Sequence, residues 1–326
     1  MKVAIVSAPG KIQILEVPKP QLSPEHIIIK VQTASICNAT DTKLFTAEDP
    51  TTLWPFKKHP FILGHECFGK VVEVGSDVEG FEIGNEVVLW TIPGEGFAEY
   101  ISVPVNEVAI GKVDGKISPS TAPIMEMVIG CSGYLFNSDG TTIVERGANA
   151  VVYGLGPAGL IFIQVARALG AGKIVAVGRR KLRLDTASHL GANIVLDEKK
   201  IKGAREIKKY IDTPDVLVDT TGSDIVEEIL SLSRPGMFLV PFGIPPFNWE
   251  DKLEALRNKG IIFHNSGLDQ AKVAVKYCID WVTKGLVRLE PLVTHRIPLE
   301  KVEEGLDLCR FHKDNTLKVI LDISSR

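Results

Sequence analysis

The short run GHECFG at 64–69 places an imidazole and a carboxylate side by side in an apolar stretch. Two polar side chains in such surroundings either satisfy each other in a core or accompany a bound charge. Cys37, in the run SICNATD, and Glu126, in the run APIMEMVIGC, are further groups of metal-binding type. A catalytic zinc ion takes three protein ligands from cysteine, histidine and carboxylates and keeps one position open. Cys37, His65, Glu66 and Glu126 are therefore the candidate zinc ligands.

A glycine-rich turn, GLGPAG at 154–159, follows the apolar run NAVVY and precedes the helical run PAGLIFIQVARALGA. In this strand–turn–helix context, three glycines with this spacing permit a tight turn, the approach of a pyrophosphate and close helix–strand packing. The N-terminus of the helix then offers N–H groups to phosphate. A turn that only connects a strand to a helix is the alternative. The candidate dinucleotide contacts are Gly154, Leu155, Gly156, Pro157, Ala158 and Gly159.

The next apolar run, KIVAVG, ends in Gly178, where an NAD site carries an acidic residue that binds the ribose 2′-OH. Arg179 and Arg180 follow directly. A carboxylate would repel a 2′-phosphate, whereas a guanidinium binds phosphate through two parallel hydrogen bonds. The sequence therefore predicts NADP(H), and an aspartate in place of Gly178 should move the preference toward NAD(H). Solvated loop arginines are the alternative.

A zinc ion and a nicotinamide cofactor have complementary roles. Hydride transfer to or from a carbon that bears oxygen requires that this oxygen be polarised, and zinc can do so as a Lewis acid. The two candidate sites together therefore indicate a dehydrogenase.

The elements that must position these groups change character along the chain. From residue 1 to about 130, short β-branched runs such as HIIIKVQTA and KVVEV are separated by turn residues, which predicts a β-rich unit. From about 148, apolar strands alternate with helical runs, which predicts a parallel, doubly wound sheet. The closing strand LKVILDI could pair with either unit.

Composition limits the classes of partner. The net charge is −3 and the pI near 6.2, so nothing indicates a nucleic-acid partner. Five scattered cysteines without a CxxC pattern are typical of a reducing compartment. No apolar run reaches the length of a membrane span, and the N-terminal run is too short for a signal peptide. We therefore expect a cytoplasmic protein.

The runs GHECFGKVVEVG, ICNATD, PIMEM and GLGPAG resemble the medium-chain dehydrogenase/reductases, the superfamily of the zinc-containing alcohol dehydrogenases. A glutamate at 126 looks more like the sorbitol and threonine dehydrogenase branch. The resemblance covers essentially the whole chain. It implies an α/β protein with a GroES-like β-rich catalytic domain at 1–130, a doubly wound Rossmann NADP(H)-binding domain at 131–280 and a C-terminal segment at 281–326 that returns to the catalytic domain. The active cleft would lie between the domains.

The resemblance also implies roles for the metal site. Cys37 and His65 match the invariant zinc ligands of the family, and Glu66 matches a carboxylate that is a ligand or near-ligand in polyol-type members. Glu126 stands in the place of the third protein ligand, and an exchange of the two glutamates at the metal is a hypothesis. Lys318 stands where relatives carry a basic pyrophosphate contact, a surface lysine being the alternative.

Three departures from the family pattern bear on these roles. An extra residue after the cysteine shifts Thr40, the expected proton-relay hydroxyl, and Asp41, the expected partner that orients His65. The four-cysteine lobe that binds a structural zinc in many members is absent from this sequence, so one catalytic zinc per chain is expected. The insertion FTAEDPTTLWPFKKHP is expected to cap the substrate cleft. Its candidate substrate contacts are Trp54, Phe56 and His59.

The predicted protein is a zinc-dependent oxidoreductase that transfers hydride between NADP(H) and a secondary alcohol or ketone, with sugars, polyols and cyclitols as candidate substrates. Thr40, Asp41 and Glu66 are its predicted catalytic residues. A zinc-free NADPH:quinone or enoyl reductase of the same superfamily and a non-enzymatic NADPH-binding protein are the alternatives. Because relatives pair through the edge of the Rossmann sheet, a homodimer or homotetramer is expected, with 261–267 as the candidate edge.

Overall fold

The computed structural model describes residues 1–48, 59–90, 95–113, 115–244 and 250–324. The chain forms two compact units, one of Met1–Ile129 with Leu289–Arg326 and one of Gly130–Arg288. The Rossmann domain was predicted to end at 280, whereas the second compact unit ends at Arg288. Trp54 and Phe56 lie outside the described residues, and His59 is exposed.

The N-terminal part of the first unit is built from short strands, as its β-branched runs predict. Its strands are β1 (Lys2–Ala8), β2 (Lys11–Glu16), β3 (His26–Ser35), β4 (Phe61–Ile62), β5 (Glu66–Val74), β6 (Glu86–Trp90), β7 (Tyr100–Pro104) and β8 (Ala109–Lys112). Helix α1 (Thr40–Thr46) belongs to this unit, and α2 (Met125–Gly133) begins in it and ends in the second unit. Short 3₁₀ helices span Val105–Glu107 and Ala122–Ile124.

The second unit alternates strands and helices. Its strands are β9 (Asn149–Tyr153), β10 (Lys173–Gly178), β11 (Ile194–Asp197), β12 (Val216–Asp219), β13 (Phe238–Pro241) and β14 (Ile262–Phe263). Its helices are α3 (Pro157–Ala168), α4 (Lys181–His189), α5 (Ala204–Lys208), α6 (Val226–Leu232), α7 (Glu250–Asn258) and α8 (Leu268–Thr283).

The C-terminal segment adds β15 (Val293–Pro298), α9 (Val302–Phe311) and β16 (Lys318–Asp322), with 3₁₀ turns at Glu290–Leu292 and Leu299–Lys301. β16 pairs with β15 and, antiparallel, with β3 of the first unit. The open question of which unit receives the closing strand is thereby answered. No helix among the described residues is long and apolar enough to cross a membrane.

β3 is the central strand of the first unit's larger sheet, whose order is β15-β16-β3-β5-β6-β8 with β7 also paired to β3. The run HIIIKVQTAS does not alternate apolar with polar residues, because partners and core surround it and seven of its ten residues are buried. Ser35 at its end lies opposite Glu66 on β5 and Ile320 on β16. The end of β3 and the start of β5 therefore lie beside the middle of β16 at Ser35. A separate sheet has the order β2-β1-β4.

The second unit contains one parallel sheet with the order β11-β10-β9-β12-β13-β14. This order confirms the predicted doubly wound Rossmann architecture, in which ligands bind at the carboxyl ends of the strands. Tyr153 at the end of β9 is in register with Val177 on β10 and Asp219 on β12. The turns that follow β9, β10 and β12 consequently lie at one edge of the sheet.

We expect Gly69→Ala to weaken the pairing between β5 and β3. A methyl group at this position would lie 2.3 Å from the Lys30 carbonyl oxygen, and this backbone atom cannot move without separating the paired strands. Overpacking of this kind costs about 1–3 kcal/mol of unfolding free energy, measurable as a lower urea midpoint. The control is Lys70→Ala on the same strand, where an exposed ammonium is 3.8 Å from Glu86 and the cost should stay below about 1 kcal/mol. Equal losses in both variants would contradict the steric argument.

Candidate metal and nucleotide sites

Two strand ends bring the first candidate ligands together. Cys37 follows the end of β3 by two residues, and His65 and Glu66 lie at the start of β5. One donor atom from each of these three residues lies within 4.8 Å of the other two. The Cys37 side chain is half-buried, the His65 side chain is 12% exposed, and Glu66 is fully buried. The geometry thus gathers three of the four predicted ligands, while their role as ligands stays a prediction.

Asp41 connects two of these groups. It lies in the first turn of α1 and is completely buried. Its Oδ1 is 3.4 Å from His65 Nδ1, and its Oδ2 accepts a 2.8 Å hydrogen bond from the Cys37 backbone amide. Burial lowers the pKa of His65, but the Asp41 carboxylate and the Cys37 thiol outweigh burial and raise it well above 6.5. The extra residue after Cys37 therefore leaves Asp41 in contact with the histidine.

Thr40 is buried at the start of α1, and its backbone amide lies 3.4 Å from the Cys37 sulfur. Its hydroxyl makes none of the hydrogen bonds found among the described residues. The relay role of this hydroxyl therefore stays a prediction.

Glu66 is engaged by two donors. Ser35 Oγ donates a hydrogen bond to its Oε2, and the Lys318 ammonium donates to both carboxylate oxygens. Lys318 is itself fully buried, and its third contact is the Ile36 carbonyl oxygen at 3.2 Å. The alternative of a surface lysine was wrong, because the ammonium neutralises a carboxylate inside the first unit. Burial lowers the pKa of Lys318, but Glu66 more than compensates and raises it above 10.5.

Glu126 occupies a different environment. It lies in the first turn of α2 after a proline-containing 3₁₀ turn, with 7% of its surface exposed. The hydrogen bonds of the described residues include none to its carboxylate. Burial raises the pKa of Glu126 to about 8, against the opposing effect of His65. A carboxylate in such surroundings is costly unless a cation accompanies it.

These donors fit zinc. A thiol, an imidazole and carboxylates are the groups that bind this ion, and a histidine ligand usually gives its other ring nitrogen to a carboxylate or carbonyl. Asp41 Oδ1, 3.4 Å from His65 Nδ1, is the carboxylate oxygen nearest to that position. Cys37, His65 and Glu66 are thus donors of the kinds that zinc uses, with Asp41 beside the histidine.

The glycine turn of the second unit has the shape that the motif predicts. Gly154 has φ of +86°, which favours glycine, and Pro157 begins α3. A methyl group at Gly159 would lie 1.9 Å from the Gly154 carbonyl oxygen, so protein packing alone requires this glycine. At Gly156 the nearest atom to such a methyl group is 4.0 Å away. Packing does not explain Gly156, whereas the approach of a phosphate would.

The end of β10 carries the predicted cofactor-selecting residues. Arg179 is exposed, and Arg180 precedes the first residue of α4. A side chain at Gly178 would meet Leu155 of the glycine turn at 2.7 Å. A side chain here would force Leu155 to move, so an aspartate would disturb the turn as well as add charge. The proposed exchange of Gly178 for aspartate is consequently a poor test of cofactor choice.

Sequence reasoning missed two residues beside this turn. Arg183 lies in the first turn of α4, and its Nη1 atom is 4.0 Å from the position that a methyl group on Gly156 would occupy. The hydroxyl of Thr220, directly after β12, donates a hydrogen bond shared between the carbonyl oxygens of Tyr153 and Gly154. Its Oγ1 lies 3.0 Å from each of them. Two features of the sequence could have indicated these residues: the four-residue spacing of Arg179 and Arg183, and the polar residues after VLVD.

Two family models match the chain. The alcohol dehydrogenase GroES-like domain matches residues 23–113, and the zinc-binding dehydrogenase model matches residues 157–268. The first range contains three of the four predicted metal ligands, and the second begins in the glycine turn. Each model therefore matches the unit in which the corresponding site was found.

Individual relatives extend over almost the whole chain. L-threonine 3-dehydrogenase of Bacillus velezensis is 28% identical, over 94% of each protein. Sorbitol dehydrogenase of Bacillus subtilis is 26% identical, over 98% of this chain and 97% of the relative. The solved structure of the alcohol dehydrogenase TADH from Thermus sp. ATN1 superposes with a TM-score of 0.81 at 25% identity and covers 99% of both chains.

We expect two alanine substitutions in the glycine turn to separate ligand binding from stability. Gly156→Ala adds a methyl group to open space and should weaken dinucleotide binding by roughly 10-fold or more, with a small change in melting temperature, because the backbone can no longer meet the pyrophosphate. Gly159→Ala drives a methyl group into the Gly154 carbonyl and should lower the melting temperature of the ligand-free protein. Calorimetry measures both quantities. Unchanged binding in Gly156→Ala would contradict the assignment.

Proposed function

This chain belongs to the medium-chain dehydrogenase/reductase superfamily, that of the zinc-containing alcohol dehydrogenases, and from that premise we propose that it is a zinc-dependent dehydrogenase. It transfers hydride between NADP(H) and a secondary alcohol or ketone. The observation that carries the proposal is the approach of Cys37, His65 and Glu66 within 4.8 Å of one another. A half-buried thiol, an imidazole and a buried carboxylate at these distances have no common purpose in an apolar core, whereas zinc uses all three.

The residues of the first unit would have three roles: metal binding, orientation of the ligands and proton transfer. Cys37, His65 and a carboxylate hold the metal, which supplies Lewis-acid polarisation of the substrate oxygen. Asp41 fixes the orientation of the His65 ring through Nδ1 and the position of Cys37 through its backbone amide. Thr40, buried beside the Cys37 sulfur, is the group proposed to accept or return the substrate proton.

The second unit would supply the cofactor site. The glycine turn and the N-terminus of α3 receive the pyrophosphate. Arg179 and Arg180 at the end of β10 would bind the 2′-phosphate, since no acidic residue stands at Gly178 to repel it. Arg183, beside Gly156, is a further cation for the phosphates.

A hydroxyl-rich substrate, such as a polyol, sugar or cyclitol, fits this site best. Carboxylate ligation makes a harder, more polar metal site than ligation by two cysteines. Two relatives are named as sorbitol and threonine dehydrogenases, and both sorbitol and threonine contain a secondary hydroxyl group. We also propose a homodimer or homotetramer, because β14 forms the edge of the second unit's sheet and Ile262 on it is 44% exposed.

We expect the purified protein to contain one zinc ion per chain by elemental analysis, and to lose activity on a panel of polyols when a chelator removes it. Cys37→Ser should lose both the zinc and the activity, because the thiolate is a direct ligand. Cys278→Ala, which alters a buried thiol of the second unit, should keep both. Full activity without zinc would contradict the proposal and favour the zinc-free reductase. Tight NADPH binding without turnover on any alcohol or ketone would favour the non-enzymatic alternative.

We expect Arg179→Ala to lower kcat/KM with NADPH about 10- to 100-fold, the range that loss of a charge-assisted hydrogen bond predicts. The values with NADH should change little, because NADH carries no 2′-phosphate. Arg205→Ala removes an exposed arginine from α5 of the same unit and controls for the change in net charge. Equal losses with NADH and NADPH would contradict the assignment of Arg179 to the 2′-phosphate.

A further inference from the structure

The chain leaves the second unit at Arg288, the last residue of that unit, and enters the first unit at Leu289. Val287 and Leu289 are each 1% exposed, whereas Arg288 is exposed. Burial on both sides fixes the backbone at residue 288 and leaves its guanidinium in contact with solvent. The hydrogen bonds of Arg288 therefore show what holds this connection on the side of the second unit.

Gln164 of α3 binds both backbone groups of Arg288. Its Oε1 accepts a 2.8 Å hydrogen bond from the Arg288 amide, and its Nε2 donates one of 3.2 Å to the Arg288 carbonyl oxygen. The glutamine is only 1% exposed, and a buried amide group is costly unless it is hydrogen-bonded. Among the described residues, these two bonds satisfy the Gln164 side chain. The glutamine therefore holds a residue that is 124 positions away in the sequence.

The Arg288 side chain is bound to a second helix. Its Nη2 donates a hydrogen bond to the carbonyl oxygen of His189, the last residue of α4. A cation at the C-terminus of a helix is favourable, because the last carbonyl groups have no partner within the helix and carry a partial negative charge. Residue 288 is thus attached to α3 through its backbone and to α4 through its guanidinium.

Both helices begin at the proposed cofactor loops. Pro157, directly after the glycine turn, is the first residue of α3, and Gln164 lies seven residues later, about 10 Å along the helix axis. Lys181, directly after the two arginines at the end of β10, begins α4, and His189 lies about 12 Å further along that axis. The ends of the helices nearest the cofactor and the contacts of Arg288 are therefore joined by continuous helix.

A further contact joins the C-terminal ends of the two helices. Arg167, in the last turn of α3, donates hydrogen bonds of 2.7 Å to the Ala171 carbonyl oxygen and 2.9 Å to that of Gly191, two residues after the end of α4. Hydrogen-bond networks and rigid helices are physical routes by which binding at one place can restrain another. A restraint at the start of either helix consequently acts on the same connection.

We propose that Gln164 and Arg288 are positioning residues that couple cofactor binding to the connection at 288–289. The pyrophosphate, bound at the N-terminus of α3, restrains the Arg288 backbone through Gln164. The 2′-phosphate, bound at the start of α4, restrains the guanidinium through His189. The coupling rests on the proposed cofactor site. It extends the effect of the cofactor to the segment that carries Lys318, the partner of Glu66, back to the first unit.

Hydrogen–deuterium exchange at the Arg288 amide reports directly on its bond to Gln164. In the full-length wild type, saturating NADPH should slow this exchange by about 5-fold or more, the lower end of the range for coupling between distinct sites. NADH should slow it less, because it carries no 2′-phosphate. This measurement requires no variant. Unchanged exchange at residue 288 with both cofactors, while the glycine turn becomes protected, would overturn the proposal.

Two variants separate the attachments, and the ratio of exchange rates with and without cofactor is compared in each. Gln164→Met retains much of the side-chain volume but cannot bind the backbone. It should still bind NADPH and protect the glycine turn, with no protection at residue 288. Arg288→Ala removes the guanidinium alone, because Gln164 binds the backbone. It should keep the protection that NADH gives and lose the additional protection that NADPH gives.

Thr186→Val is the matched control. Its hydroxyl donates a 2.7 Å hydrogen bond to the Leu182 carbonyl oxygen within α4, so the change removes a bond from the same pair of helices without altering a contact of residue 288. NADPH should protect residue 288 in this variant as in the wild type, even if the melting temperature falls. Loss of that protection would mean that general loosening of the helices explains the result, and the proposal would fail.

Failure of the coupling is distinguishable from failure of the proposed function. If calorimetry detects no binding of NADPH or NADH to the wild type, the proposed cofactor site is wrong and the coupling falls with it. If the cofactors bind and protect the glycine turn, but Gln164→Met keeps the protection at residue 288, only the coupling is wrong.

Discussion

The buried ion pair between Glu66 and Lys318 is the interaction on which the first unit's candidate site depends. The two residues are 252 positions apart in the sequence, and they meet because β16 and β5 lie on either side of β3. A buried charge that loses its partner is strongly disfavoured. The position of the glutamate beside His65 is therefore tied to correct docking of the closing strand, and the chemistry of residues 37–66 cannot be understood without residue 318.

Asp41 likewise connects two residues of the candidate site, His65 and Cys37, which are closer to it in the sequence. One of its oxygens faces the His65 ring and the other binds the backbone amide of Cys37. Because α1 begins directly after the cysteine loop, a residue four positions after Cys37 returns to its amide. This geometry explains how the loop accommodates one residue more than the family pattern while the carboxylate still reaches the histidine.

Much of the architecture could be predicted from the sequence, because strands and helices follow from patterns of neighbouring residues. The β-branched runs before 130 and the alternation of strands and helices after 148 indicated the fold class, which the sheet orders confirm. The glycine turn and the histidine–glutamate pair were found through spacing and unusual polarity. The burial of Lys318, the packing of Leu155 on Gly178 and the contact of Thr220 with the glycine turn were not found. Each depends on segments that are distant in sequence and is decided only when strands become neighbours.

The candidate ligands differ in how well their roles could be predicted from the sequence. Cys37 and His65 were candidates because thiol and imidazole are donors that zinc prefers and because both match the family pattern. Glu66 and Glu126 looked equivalent in sequence, since each is a single carboxylate in an apolar run. Only the three-dimensional environment distinguishes a glutamate that is paired with an ammonium from one that has no such partner in the described part of the chain.

The first unit is discontinuous, and its sheet places β16 between β15 and β3. A ribosome that synthesises this chain completes the described strands of the second unit before it reaches β16. Domains usually acquire their structure in the order of their synthesis. Here the buried acid beside His65 gains its counter-charge only after residue 318 has been translated.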